Sequence, residues 1–178
     1  MPFNIERFKK HLMKLTDKKS AGKIMKEAGG EDLPDSPVKK ANYISSLMDI
    51  LDKKLDDKVK KQIMENCGRE CIGKSTIEKA KKLWEQSKTI DEFLDLLNEN
   101  HIGGGNFKRK GYVIHAGYDR CYCGSVSKRK NPISLTYCNC SRGWYQQLFE
   151  ESLDKPVVVK LVDSIAHGAD RCKFNIYI

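Results

Sequence analysis

The chain has 178 residues, of which 39% are hydrophobic and 32% charged, with a formal net charge of +9. That length buries a real core, in one domain or in a helical segment docked on a smaller unit. No apolar run approaches the roughly 18 residues of a membrane span, and the start Met1-Pro2-Phe3-Asn4-Ile5-Glu6 has no secretory apolar core. A cytoplasmic location is expected, where seven cysteines, an odd number, fit metal ligation or buried thiols better than a disulfide framework.

Residues 1–100 read as helical. Gly29-Gly30 closes a short early helix, and Ser36-Pro37 is an N-cap with Pro at N1, opening a helix with Ile44, Leu47, Met48 and Leu51 on one stripe. Leu55, Val59 and Ile63 continue four residues apart, and Cys67 and Cys71 extend the stepping. Ser75-x-x-Glu78 and Thr89-x-x-Glu92 have the form of capping boxes, each followed by apolar residues at helical spacing. His101-Ile102-Gly103-Gly104-Gly105 ends this region; its glycines permit unusual backbone angles and mark a boundary.

The apolar period then changes from helical to alternating. Gly111–Tyr118 is expected as a strand, the segments around Cys121/Cys123 and Cys138/Cys140 as a hairpin framing the loop Gly124–Pro132, and Ser141–Leu153 as a helix. Pro156 opens a Val-rich strand to about Ser164, His167–Asp170 turns, and Cys172–Ile178 alternates cleanly as a half-buried strand. The class is α+β, a helical half (1–100) on an antiparallel sheet with one long helix (106–178).

The two Cys-x-Cys pairs are the strongest chemical signal. Side chains at i and i+2 of a strand share a face, so in a hairpin Cys121, Cys123, Cys138 and Cys140 would converge into a soft metal site. Ser141, as an N-cap, would place Cys140 at a helix N-terminus that lowers a thiol pKa. His115 shares strand parity with this group but reads as an ordinary strand histidine. Cys67 and Cys71 are a candidate second thiol pair, and Cys172 faces the apolar side of its strand. Asp163, Asp170, Glu150 and Glu151 receive no catalytic role from their spacing. Lysines are spread as on a solvated surface; the clusters Lys108-Arg109-Lys110 and Lys128-Arg129-Lys130 fall in expected loops, and nucleic acid is not an expected partner.

Cys138-Asn139-Cys140-Ser141-Arg142-Gly143-Trp144, Phe149-Glu150, Pro156-Val157-Val158, Ser164-Ile165 and Gly168-Ala169-Asp170-Arg171-Cys172-Lys173-Phe174 resemble the C-terminal part of the 4-vinyl-reductase-like domain superfamily, over roughly the last 70 residues. The resemblance implies binding of a small hydrophobic or aromatic molecule between sheet and helices. In sensor members it also implies a zinc ion held by cysteines and an acid, with Cys138 (or Cys140) and Cys172 matching two ligands. Ser164 and Leu161 stand where a further cysteine and the acid are expected, which leaves Cys121 and Cys123 to complete a different set. The reading is therefore a cytoplasmic small-molecule-binding, sensor-like domain, with zinc at Cys121, Cys123, Cys138, Cys140 and Cys172 and a homodimer as the expected assembly. The alternative is a metal-dependent hydrolase or an iron–sulfur or thiol redox enzyme.

Overall fold

A computed structural model describes residues 2–178 and has the expected α+β class. The helical half comprises α1 (Ile5–Leu15), α2 (Lys18–Glu27), α3 (Pro37–Lys54), α4 (Asp57–Arg69), α5 (Lys74–Gln86) and α6 (Ile90–Glu99). A 3-10 turn (Ile102–Gly104) leads to β1 (Lys108–Lys110), β2 (Val113–Tyr118), the long helix α7 (Leu135–Leu153), β3 (Val158–Asp163) and β4 (Cys172–Tyr177).

Local chemistry explains most boundaries. Asn4, Asp17 and Thr89 cap their helices by accepting from the amides of Arg7 (2.8 Å), Ser20 (2.9 Å) and Glu92 (3.2 Å). Pro37 opens α3 behind Ser36 as expected. Two expectations are corrected. The Gly73 carbonyl accepts from Thr76 and Ile77, so α5 starts at Lys74 and Ser75 lies inside it rather than capping it. The stepping from Leu55 to Cys71 is not one helix. Leu55 and Asp56 take extended backbone between α3 and α4, and Cys71 lies past the end of α4.

The sheet runs β1-β2-β4-β3, every pair antiparallel. Ile114, Ala116, Val159, Phe174 and Ile176 make its buried face, while His115 and Lys160 point to solvent. β1 replaces the loop expected at Lys108–Lys110; all three residues are exposed and charged, so no alternation announced it.

Apolar residues form two clusters. One joins α1–α4 to Val126, Ile133, Tyr137 and Cys138; the other joins α5, α6 and the sheet to Trp144, Tyr145, Leu148 and Phe149. Helix α7 runs through both. It meets α4 through reciprocal glycines. A Cβ on Gly68 would lie 1.8 Å from the Cys140 carbonyl oxygen, and one on Gly143 would lie 1.9 Å from that of Glu65. No side chain fits at either point, so the two backbones touch. Beside this contact, Glu65 pairs with Arg142 (2.9 Å) and Arg69 with Glu150 (2.6 Å).

Gly68→Ala and Gly143→Ala are each expected to lower the unfolding free energy in urea by about 1–3 kcal/mol or more, because the extra methyl meets backbone. Gly22→Ala, where nothing lies within 4 Å, is expected to raise it by about 0.5–1 kcal/mol.

Candidate functional site

The α4–α7 contact forms one wall of a cavity of about 290 Å³. The start of α1, the segment after β2, the 3-10 turn and the beginning of β4 complete it. All seven cysteines of the chain line this cavity. Cys67 comes from the last turn of α4 and Cys71 from just past its end, Cys121 and Cys123 from the segment after β2, Cys138 and Cys140 from α7, and Cys172 from β4. No carboxylate is among the described residues that line it.

The grouping arises differently from the expected hairpin. Ser134, not Ser141, caps α7, accepting from the Thr136 amide at 3.1 Å, so Cys138 and Cys140 lie in helix. Residues two apart on a helix point about 200° apart. Cys138 turns to the buried Ser164, with its Sγ 2.8 Å from Oγ. Cys140 is buried within reach of the charges of Cys123, Cys138, Cys71 and Cys67. Cys121 and Cys123 lie in irregular chain ahead of a 3-10 turn (Gly124–Val126), and the Cys123 thiol contacts the Tyr137 hydroxyl.

Burial sets the electrostatics, and it corrects the expectation of a thiolate at a helix end. Cys140 lies well inside α7, and burial pushes its thiol well above the ordinary value. Burial likewise pushes Cys67 and Cys138 up to about 12 and raises Cys123 and Cys172. Burial therefore favours the neutral thiol at Cys67, Cys123, Cys138, Cys140 and Cys172. As the side chains stand, no three His, Cys, Asp or Glu among the described residues are grouped to hold a single metal ion.

The remaining lining is aromatic and was not identified from the sequence. Phe3, Tyr118, Tyr122, Tyr137 and Trp144 face the cavity, with Met64 and Ser141 between them. Tyr118 stacks on Tyr145 (5.5 Å, 15°) and meets Tyr122 edge-on (5.2 Å). The 137, 141, 144 spacing on α7 is the signal that would have found Tyr137 and Trp144. The three glycines after His101 have positive φ, and a Cβ on Gly103 or Gly104 would strike Phe107 at 2.6 Å or the Gly117 carbonyl at 2.7 Å. They let the turn close against the rings. Asn4, Arg7 and His101 are the polar groups at the cavity's margin.

Other candidates have structural partners. His115 is on the open sheet face, 2.9 Å from Asn175. Arg109 pairs with Asp91, and Arg129 donates to the carbonyls of Val126 and Ile165. Glu150, Glu151 and Asp163 pair with Arg69, Lys81 and Lys173. No helix among the described residues is long and apolar enough to cross a membrane.

A family model matches residues 3–178. The chain belongs to the DUF6144 family, a family of unknown function. No curated protein matches this DUF6144 chain in sequence. Among solved structures it is similar to the phenol-responsive sensory domain of the transcription activator PoxR with phenol, at 11% identity and a TM-score of 0.43, over 78% of this chain and 73% of that one.

The raised thiols make stability depend on pH. Their folded pKa exceeds the unfolded value of about 9, so the stabilisation is whole below about pH 9 and is lost as pH rises toward about 12. Urea unfolding across this range is expected to lose about 1.4 kcal/mol per pH unit for each of Cys67 and Cys138. A Cys67→Ala/Cys138→Ala variant is expected to show a shallower fall.

Proposed function

We propose that this DUF6144 chain is a small-molecule-binding, sensor-like domain of a reducing compartment such as the cytoplasm, with the cavity as its site. The observation that carries the reading is the convergence of four separate segments on one cavity walled by rings and thiols. Protein sites for small molecules are concave and mostly apolar, with a few polar groups that orient the guest. A volume of about 290 Å³ suits a guest of one aromatic ring. Tyr118, Tyr122 and Trp144 offer edges and faces to such a ring, while Asn4 and Arg7 could receive a polar substituent.

The neutral thiols extend this reading to soft metals. A zinc ion at Cys121, Cys138 and Cys172, beside the Ser164 hydroxyl, would tie the segment after β2 to α7 and β4. Those side chains would first have to turn toward one another. The reading assigns no catalytic residue.

Single-ring aromatics, added to purified protein, are expected to change Trp144 fluorescence saturably and to raise the melting temperature. Ser141→Phe, which fills the cavity from α7, is expected to abolish both effects. A panel in which no compound moves either signal would contradict the proposal.

A further inference from the structure

The charge around the cavity is one-sided. Among the described residues that line it, Arg7 carries the one fixed positive charge and none carries a negative one. Most of the remaining wall is rings and thiols. Arg7 stands on the first turn of α1, and its side chain is only 24% exposed. A guanidinium beside an apolar wall has lost part of its water, and an opposite charge there is worth more than at an open surface.

The fold matches that charge only in part. Arg7 Nε lies 3.8 Å from Glu70 Oε2, too far for a hydrogen bond. Glu70 Oε1 is meanwhile held by Lys10 at 2.7 Å and lies 3.0 Å from His11 Nε2. One carboxylate thus serves two fixed cations, Arg7 and Lys10, which leaves an excess of one positive charge at this corner. Among the described residues, the terminal nitrogens Nη1 and Nη2 of Arg7 have no hydrogen-bond partner. Burial raises the Cys67 thiol and the Arg7 charge works against that rise, so the guanidinium stands within reach of a group that lines the cavity.

We infer that the cavity takes a single-ring aromatic carboxylate, its ring on the aromatic wall and its carboxylate on the Nη1/Nη2 fork of Arg7. The inference rests on the reading that this cavity is the site, and it names the class of guest. A guanidinium presents parallel N–H donors that match the two oxygens of a carboxylate. An excess of one positive charge suits a monoanion better than a phosphate ester, which carries about −1.5 to −2. Asn4 adds a donor at the same margin. Its Oδ1 accepts from the Arg7 amide at 2.8 Å, which keeps Asn4 beside Arg7 and leaves its Nδ2 as a donor for a guest oxygen. A neutral ring fills the same space but leaves the charge of Arg7 unmatched, so it binds more weakly.

The test is isothermal titration calorimetry of the full chain with benzoate and with benzamide, its uncharged isostere, at about pH 7, where benzoate is ionised. Benzoate is expected to bind about ten-fold or more tightly than benzamide, the scale of a hydrogen bond to a charged group. Arg7→Gln is expected to weaken benzoate about ten-fold or more while leaving benzamide within about two-fold. Arg7→Lys, which keeps the charge without the fork, is expected to fall between. Circular dichroism melting checks the fold of each variant, and the wild-type ratio decides by itself if Arg7→Gln does not fold. Equal affinities for the two probes overturn the inference, as does a folded Arg7→Gln protein that keeps the preference. Benzoate binding that survives Ser141→Phe lies outside the cavity and overturns it too. Benzamide bound with benzoate rejected removes the carboxylate and leaves the cavity reading standing. A protein deaf to every single-ring probe, charged or neutral, overturns both.

Discussion

The backbone contact between α4 and α7 is the constraint on which the rest depends. Glu65 and Gly68 on one helix meet Cys140 and Gly143 on the other, each glycine seated against the partner's carbonyl. Side chains usually hold packed helices 8–10 Å apart; two glycines at matched positions remove that spacer. The close approach aligns α7 so that its first turns face the α1–α4 cluster and its later turns face the sheet. The ion pairs Glu65–Arg142 and Arg69–Glu150 flank the contact and fix its rotation, since a shift along the axis would separate both.

From this contact the site follows. With α4 pressed on α7, the end of α4 delivers Cys67 and Cys71 to the side of α7 that carries Cys140. β4 begins beside Ser164, which brings Cys172 next to Cys138. The segment after β2 then crosses the opening, anchored by Tyr137 and by the Phe3 amide bonded to Ser125. Because the walls are apolar, burial raises the thiols of Cys67, Cys123, Cys138, Cys140 and Cys172. The same apolar walls carry the aromatic rings, so thiols and rings are two aspects of one desolvated cavity.

Much of the fold was legible in the sequence because it follows local rules. Ser36-Pro37, Thr89 with Glu92, and the alternation of Cys172–Ile178 each carry their structure in a few residues. The site was legible only in part. Clustering of Cys121, Cys123, Cys138, Cys140 and Cys172 was expected, and they do share one cavity, but through a different geometry. Leu135–Cys140 mixes Thr, Tyr and Cys, which suit strands as well as helices, and in the fold it is the first part of α7, which packs on α4. Gly68 and Gly143 carried no signal, since a glycine inside a helix reads as a weakness until the partner helix is seen. Cys67 and Cys71 joined the others for the same reason: their place depends on a contact about 70 residues away in the chain, which no local pattern encodes.

The central claim is that thiols from four segments surround one cavity in the folded chain. Cross-linking with dibromobimane, which fluoresces once both arms are bound to sulfur, tests it most directly when followed by mass spectrometry of the peptides. The account predicts cross-links that join the Cys67/Cys71 peptide to the Cys138/Cys140 peptide, and the Cys121/Cys123 peptide to α7, all abolished in denaturant. Adducts confined to cysteines within one peptide, with none between segments, would contradict it.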